Sequence, residues 1–250
     1  MKTIVPATWT IPEQLQARLG DTAGRQRAMT ADGHLLFVLH EPPGPDDRVR
    51  KARLLWRDPT GSWSSNTKGS GTQVLKKHLA DFAERTERLE NQLLAAGCAD
   101  DYFRLLQAVA PLHRSSRNLH VTLQQARDMV PDDRDLIVAR DAAGDIERSF
   151  ELLHSDAKNG LDYTVAYETE QQSQRSYEMS VSAHRLNLLA AVFFPIAALS
   201  SVFGMNLSHG LESYPSTWLF WGVLGAGFLS GLFLTPVIAK RPRPPGGPQE

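Results

Sequence analysis

The residues best suited to binding chemistry are Gly204-Met205-Asn206, a tripeptide that directly follows an uncharged apolar run. The Asn206 amide carries both donor and acceptor groups, and a ring of such amides can hydrogen-bond the water shell of Mg²⁺, an ion that gives up its waters reluctantly. A ring of carboxylates would hold the ion more tightly and slow its release. Glycine can adopt a positive φ and turn the chain, and Met205 can pack that turn. The tripeptide therefore favours a site for a hydrated divalent cation, with a helix C-cap as the alternative role for Asn206.

A stripe of small residues precedes the tripeptide at helical spacing. Asn187 is the only strongly polar side chain in the apolar run, and such a residue normally faces a partner helix or water rather than lipid. Leu186 and Phe194 are candidates for apolar constrictions that gate by dewetting. Small residues also allow helices to pack closely, so lining a pore and packing are both open roles. The stripe consists of Ala183, Asn187, Ala190, Phe194, Ala197 and Ser201.

Two uncharged runs, Leu186 to Phe203 and Trp218 to Ala239, must position these residues. A bilayer core about 30 Å thick needs roughly 20 apolar residues in a helix. The second run is long enough, and the first is long enough if Arg185 snorkels or the helix extends past Phe203. We therefore predict a transmembrane hairpin over 186–239, and a buried hairpin in a soluble core is the alternative. Its parts are a first helix at 186–203, an outer loop at 204–217 and a second helix at 218–239.

Basic residues flank this hairpin on one side only. Arg185 precedes the first run, three basic residues follow the second, and the segment 207–217 contains no lysine or arginine. The positive-inside rule therefore predicts that both termini are cytoplasmic and that the loop lies outside. The tail 240–250 is rich in proline and glycine, which predicts disorder.

Residues 1–70 are typical of a small mixed α/β region. Apolar runs predict strands at Gly33–His40 and Ala52–Arg57, each ended by a cluster of proline or glycine, and a short third strand at Ser62–Ser64. A sheet of only two or three strands needs a helix to cover its apolar face.

Residues 71–131 are predicted to be a cytoplasmic helical region. One helix begins after an N-cap at Thr72 and ends near Ala96. A second runs from Asp101 to Met129, with a kink at Pro111.

A long stalk helix is predicted over 132–185, continuing into the first apolar run. Its apolar residues fall on one helix face at Ile146, Phe150, Leu153, Ala157 and Leu161. The segment Ser173–Ser182 is mostly polar, and a single chain cannot bury such a rod. Copies of the helix packed around a water-filled axis would keep it ordered, which argues for an oligomer with a central channel. The stalk carries 12 acidic and 6 basic residues, so acids of neighbouring copies could share Mg²⁺, although a solvated face is the plainer explanation.

Composition argues against several other classes. The net charge of −1 gives no reason to expect nucleic acid as a partner. Cys98 is the single cysteine, which rules out an intrachain disulfide. Met1 to Trp9 is short and interrupted by proline, unlike a secretory signal. No Ser/His/Asp or Cys/His arrangement can be assigned, so we expect neither an enzyme nor an organic cofactor.

The segment from Phe193 to Asn206 resembles the end of the first transmembrane helix in the CorA family of magnesium channels. That family ends this helix with an aromatic residue followed by Gly-Met-Asn and places a proline eleven residues before the asparagine, as Pro195 stands here. Two C-terminal membrane helices, a short outer loop, a basic tail and a long stalk are also shared. The resemblance covers about residues 130–243. It implies an α+β fold with a small N-terminal region, a long stalk helix and two C-terminal transmembrane helices.

The resemblance also implies roles for individual residues. Gly204, Met205 and Asn206 would form the selectivity filter. The asparagine that the family places near the start of this helix falls on Ser180 here, which keeps a hydroxyl toward the pore. The sensing aspartate of the family falls on Asp145, with Asp141 one turn earlier. The outer loop lacks the Met-Pro-Glu of the family, and Glu212 could attract cations in its place.

The implied function is uptake of Mg²⁺ down its electrochemical gradient through a homopentamer in the inner (plasma) membrane, with Mg²⁺ also a possible regulatory ligand. Ser180 and the altered outer loop leave two alternatives open. One is a transporter of Zn²⁺, Co²⁺ or Ni²⁺ in the same family, and the other is a non-conducting membrane scaffold or sensor.

Overall fold

A four-stranded antiparallel sheet forms the N-terminal part of the chain. The computed structural model describes residues 4–44, 47, 49–204 and 216–238. The strands are β1 (Arg27–Ala31), β2 (His34–His40), β3 (Ala52–Arg57) and β4 (Trp63–Ser65), and they pair in the order β1-β2-β3-β4. The α+β class predicted from the sequence is confirmed, and the predicted strands correspond to β2, β3 and β4. The strand β1 was missed.

Both faces of the sheet are buried, and alternating residues of β2 point to opposite sides. Leu35, Phe37 and Leu39 belong to the core that the long helices complete. Leu36 and Val38 belong to a second core, covered by the N-terminal segment through Trp9, Ile11 and Leu15. Leu15 lies in α1 (Glu13–Gln16), a single turn that the sequence analysis did not predict. The N-terminal segment thus covers one sheet face and the helices cover the other.

Helices α2 (Gly71–Ala95) and α3 (Ala99–Met129) follow the sheet. The predicted N-cap at Thr72 is wrong, since Ser70 caps α2 and its hydroxyl accepts from the Gln73 amide at 3.5 Å. The first helical position is Gly71, where a Cβ would lie 2.9 Å from the Ser64 carbonyl oxygen. Close approach to β4 therefore requires glycine at the first position of α2. Pro111 lies inside α3, which continues to Met129.

Helix α4 (Arg134–Phe203) confirms the predicted long helix. Asp133 caps the N-terminus of α4, because its Oδ1 accepts hydrogen bonds from the backbone amides of Asp135 and Leu136 at 3.0 and 3.3 Å. The predicted apolar face is buried at Ile146, Phe150, Leu153 and Ala157.

Two glycines that weaken the helical pattern of α4 lie against residues of α3. At Gly160 a Cβ would lie 2.7 Å from Tyr102 Cζ, so only glycine leaves room for that ring of α3. At Gly144 a Cβ would lie 3.4 Å from His120 Nε2. Close contact with α3 therefore requires glycine at position 160, whereas a Cβ at position 144 would make only ordinary van der Waals contact.

A buried polar network joins the sheet to α2. Arg53 of β3 donates to Asp81 Oδ2 at 3.1 Å and to Glu41 Oε1 at 3.3 Å, and its Nη1 lies 3.2 Å from His78 Nδ1. The His78 side chain is completely buried. Burial, followed by the positive charge of Arg53 and the nearby His40, lowers the pKa of His78 to about 3. His78 is therefore neutral in the folded protein at physiological pH.

The chain divides into two compact units, 1–165 and 166–250. The boundary falls within α4, and the second unit also contains α5 (Ser216–Ile238). The predicted tail 240–250 and the predicted outer-loop residues 205–215 lie outside the described residues. The domain limits drawn from the sequence stay predictions.

Candidate functional site

Helix α5 packs against one face of the C-terminal part of α4 through two glycines. At Gly231 a Cβ would lie 2.9 Å from Val192 Cα and 3.3 Å from the Ala191 carbonyl oxygen. At Gly227 a Cβ would lie 3.1 Å from Ile196 Cγ1. Glycines four residues apart let two helix backbones approach closely, as small residues do between membrane helices. We call this contact the glycine seam, formed by Gly227 and Gly231 on α5 and by Ala191, Val192, Ile196 and Leu199 on α4.

The predicted pore stripe lies on the opposite side of α4 from the glycine seam, at 100° of rotation per residue. Ala190 is half-buried and the other stripe residues are exposed in the single chain. The structure therefore brings the stripe onto one face that α5 leaves open. The exposed members are Ala183, Asn187, Phe194, Ala197 and Ser201, and Ser180, which extends the stripe by one turn toward the N-terminus, is exposed as well.

Three residues on or beside the stripe lack the partners or the burial that side chains of their type usually have in a folded protein. Asn187 is exposed and, within the described part of the chain, its amide has no hydrogen-bond partner. Leu186 is 66% exposed and Phe194 is 73% exposed. Large apolar side chains at this exposure require cover by lipid or by another protein chain.

Gly204 is the one residue of the predicted filter that the structure describes. Its amide donates to the Ser200 carbonyl oxygen at 2.9 Å, which continues the helical hydrogen bonding of α4. The positive φ expected at Gly204 is not observed. A Cβ there would lie 2.9 Å from the same carbonyl, so close approach to α4 is the local reason for glycine. Met205, Asn206 and Glu212 lie outside the described residues.

The candidate sensing residues lie on an exposed face of α4. Asp141 pairs with Arg140 at 3.0 Å, and Asp145 is exposed. Across the described residues, no group of three or more His, Cys, Asp or Glu side chains is placed to hold a metal ion. Within one chain, the structure therefore does not bring Asp141 and Asp145 into a metal site.

The apolar part of α4 is long enough to cross a membrane. Among the described residues it is the one helix that meets this criterion, and only 6% of the apolar stretch is buried. The apolar run of α5, Phe220–Phe233, is shorter. Exposed aromatic side chains nevertheless continue along α5, with Trp218 81% and Phe233 79% exposed. The second membrane span stays a prediction.

Sequence reasoning missed the glycine seam. The signal was present as Gly227-x-x-x-Gly231, but α5 contains four glycines, and spacing alone does not say which of them face α4. At Gly222 and Gly225 a Cβ would meet no atom within 4 Å.

Comparison with family models assigns most of the chain to one family. The model of the family described as "CorA-like Mg2+ transporter protein" matches residues 28–241. The structure of the full-length CmaX protein is similar at 13% identity and a TM-score of 0.53, covering 93% of this chain and 83% of that one. The CorA magnesium transporter from Methanocaldococcus jannaschii has 12% identity and a TM-score of 0.35, with coverage of 89% and 81%. The comparison with curated proteins gave no match. The likeness to CmaX concerns the fold alone.

Proposed function

Because the chain belongs to the CorA-like Mg²⁺ transporter family, we propose that it forms a divalent-cation channel that takes up Mg²⁺ through an oligomeric pore lined by α4. The family is one of Mg²⁺ transporters. Flow would be driven by the electrochemical gradient, with both chain termini in the cytoplasm and the chain in the inner (plasma) membrane. We take the assembly to be a homopentamer, as the family resemblance implies.

The observation that carries the proposal is the division of α4 into two faces. One face is used by the glycine seam, where backbone approach to α5 leaves no room for another helix. The opposite face presents the small and polar stripe, which has no cover in a single chain. Symmetric copies that turn this face inward would surround an axis lined by Asn187, Ala197 and Ser201. Small side chains there leave space for an ion that keeps its water shell.

Asn187 supports this arrangement. A buried amide without a hydrogen-bond partner costs roughly 1–3 kcal/mol, and more in a lipid environment. On the proposed axis the amide meets water or the same residue of a neighbouring copy. Leu186 and Phe194 would provide apolar constrictions that close the axis by excluding water.

The Gly204-Met205-Asn206 ring would form the outer selectivity filter. This assignment is based on its position after α4 and on the chemistry of the amide, which can hydrogen-bond the waters of the ion. Glu212 in the outer loop would raise the local concentration of cations by its charge.

Asp141 and Asp145 would sense cytoplasmic Mg²⁺. Their exposure on α4 leaves the carboxylates accessible to a neighbouring copy. A hard divalent cation shared between subunits would stabilise the closed state of the channel. Loss of this cation would allow the channel to open.

Flux into proteoliposomes tests the proposal. We expect wild-type protein to pass Mg²⁺ and Asn206→Ala to reduce or abolish this flux, because the variant removes the amides that hold the hydrated ion. Ser180→Ala and Ser182→Ala form a matched pair, since both residues are exposed but only Ser180 lies on the stripe. Only Ser180→Ala should change the preference among divalent ions.

Four outcomes would count against parts of this scheme. Equal Mg²⁺ flux in wild type and Asn206→Ala would remove the filter assignment. Faster flux of Zn²⁺, Co²⁺ or Ni²⁺ than of Mg²⁺ would support the alternative cargo that Ser180 and the outer loop allow. An absence of divalent flux in the wild type would favour a scaffold or sensor. For regulation, unchanged inhibition by internal Mg²⁺ in Asp145→Ala would contradict a sensing role.

A further inference from the structure

A cavity of about 430 Å³ lies in the N-terminal unit between the end of β2 and the helices α2 and α3. Its wall includes His40 from β2, Arg85 from α2 and Arg114 from α3. None of the residues assigned above to transport or to metal sensing lines it. The cavity therefore calls for an explanation separate from the pore.

The wall of this cavity is strongly basic, although the whole chain is nearly neutral. Among the described lining residues, four cationic side chains face two carboxylates, Glu41 and Asp47. Glu41 is already paired with Arg53 at 3.3 Å, and Asp47 Oδ2 accepts the Gly44 amide at 2.7 Å. Among the described residues, none of the four cations forms an ion pair within 4.0 Å. These cations are Arg50, Lys51, Arg85 and Arg114.

The floor of the cavity is held in place by Gln26. Its Nε2 donates to the Ser115 carbonyl oxygen at 3.0 Å and lies 3.3 Å from Ser115 Oγ. Its Oε1 accepts the His40 amide at 3.4 Å. The end of β2 is thus fixed to α3 on one side of the cavity, whereas Arg50 and Lys51 on the other side lie in the connection between β2 and β3.

His40 also lines the cavity, although its ring Nε2 is shielded from solvent and the imidazole has a backbone hydrogen-bond interaction with Gly24. The His40 side chain is 6% exposed. Burial, followed by the charges of Arg50 and Arg27, lowers the pKa of His40, as expected in a positive electrostatic potential.

We propose that this cavity binds a small phosphate-bearing anion, with Arg85 and Arg114 as its principal cationic ligands. Guanidinium groups bind phosphate oxygens through paired, charge-assisted hydrogen bonds, and two of them on different helices enclose an anion from two sides. Apart from the His40 imidazole, the described lining residues offer no aromatic ring on which a base could stack. The site is therefore suited to the phosphate itself and not to a nucleobase.

Titration calorimetry on the full-length protein in detergent, with EDTA present, tests the proposal. The probes are inorganic phosphate, pyrophosphate and ATP, with sodium chloride of equal ionic strength as the reference. We expect saturable binding of pyrophosphate, and affinities for ATP and pyrophosphate within about threefold of each other, because the base makes no contact. Arg85→Gln and Arg114→Gln should each weaken pyrophosphate binding by about tenfold or more, in line with the loss of a charge-assisted pair.

Arg88→Gln is the matched control, since Arg88 is exposed on α2 three residues after Arg85 and does not line the cavity. It should bind pyrophosphate as the wild type does. The proposal is overturned if chloride reproduces the binding signal, if Arg114→Gln binds as the wild type does, or if Arg88→Gln weakens binding equally. Affinity for ATP more than tenfold above that for pyrophosphate would overturn recognition by phosphate alone. Arg114 is exposed, so its replacement keeps the test valid even if Arg85→Gln fails to fold.

Discussion

Arg57 of β3 and Asp133 at the start of α4 form an ion pair with 2.8 Å between Nε and Oδ2. The other carboxylate oxygen of Asp133 accepts the two backbone amides that begin α4. Both side chains are mostly buried, with 18% and 11% of their surface exposed. One carboxylate therefore joins the sheet to the first turn of α4.

Asp133→Ala should lower the free energy of unfolding by about 2–4 kcal/mol. The variant loses an N-cap, usually near 1 kcal/mol, and leaves a mostly buried guanidinium without its partner. Chemical denaturation of the full-length protein in detergent measures the effect. Asp135→Ala is the control, because its pair with Lys76 is exposed and 3.7 Å long. Such surface pairs contribute at most about 1 kcal/mol. Equal losses in the two variants would show that Asp133 has no special role.

Gly231→Ala should disrupt the glycine seam, whereas Gly225→Ala should be tolerated. A Cβ at position 231 would lie 2.9 Å from Val192 Cα, but at position 225 it would meet nothing within 4 Å. Overpacking of this kind costs about 1–3 kcal/mol. Thermal unfolding midpoints of the two variants in the same detergent compare them directly. A midpoint for Gly231→Ala at or above that of Gly225→Ala would contradict the contact.

Gly160→Ala should destabilise the protein although alanine favours a helix by about 1 kcal/mol over glycine. The added methyl would overlap the Tyr102 ring. The double variant Gly160→Ala, Tyr102→Ala should recover part of the loss, since the ring that clashes is gone. A double-mutant cycle by denaturant unfolding gives the coupling between the two sites. Strictly additive losses would be incompatible with the overlap.

Stability should fall with acidification because of His78. Its pKa is about 3 in the folded protein and near 6.5 when unfolded, so the unfolded chain binds the extra proton between these values. The contribution of neutral His78 is complete above pH 6.5 and is lost as the pH falls toward 3, at up to about 1.4 kcal/mol per pH unit. Unfolding free energies of wild type and His78→Phe from pH 7 to pH 4 measure it. The variant should show the shallower pH dependence, and parallel curves would exclude His78 as the source.

The strands β2 and β3 were predictable because their apolar runs end at clusters of proline and glycine. β1 was not, since Arg27–Ala31 holds few large apolar residues and depends on pairing with β2. The N-cap of α2 was misplaced because Ser70 and Thr72 are both good cap residues, and the local sequence does not distinguish them. Local patterns cannot report such tertiary contacts.

The candidate site, like the fold, was predictable from the sequence only in part. The period of 3.6 residues identifies a face of α4, and that face is the one that α5 leaves open. Spacing cannot tell which of the glycines on α5 touch α4, because all four are equally small. The positive φ that glycine allows is not adopted at Gly204. Glycine permits a positive φ but does not require it, and here close approach to the Ser200 carbonyl explains the residue.

The N-terminal segment that covers one sheet face has a practical consequence for protein production. Leu36, Val38 and Leu54 are completely buried, and they pack in the same core as Ile11 and Leu15. A shortened protein that starts after Gly20 would present these side chains to water on an otherwise intact sheet. Exposed apolar patches of this kind promote self-association. An affinity tag should therefore be added before residue 1 and should not replace the first twenty residues. Loss of those residues would promote aggregation of the protein.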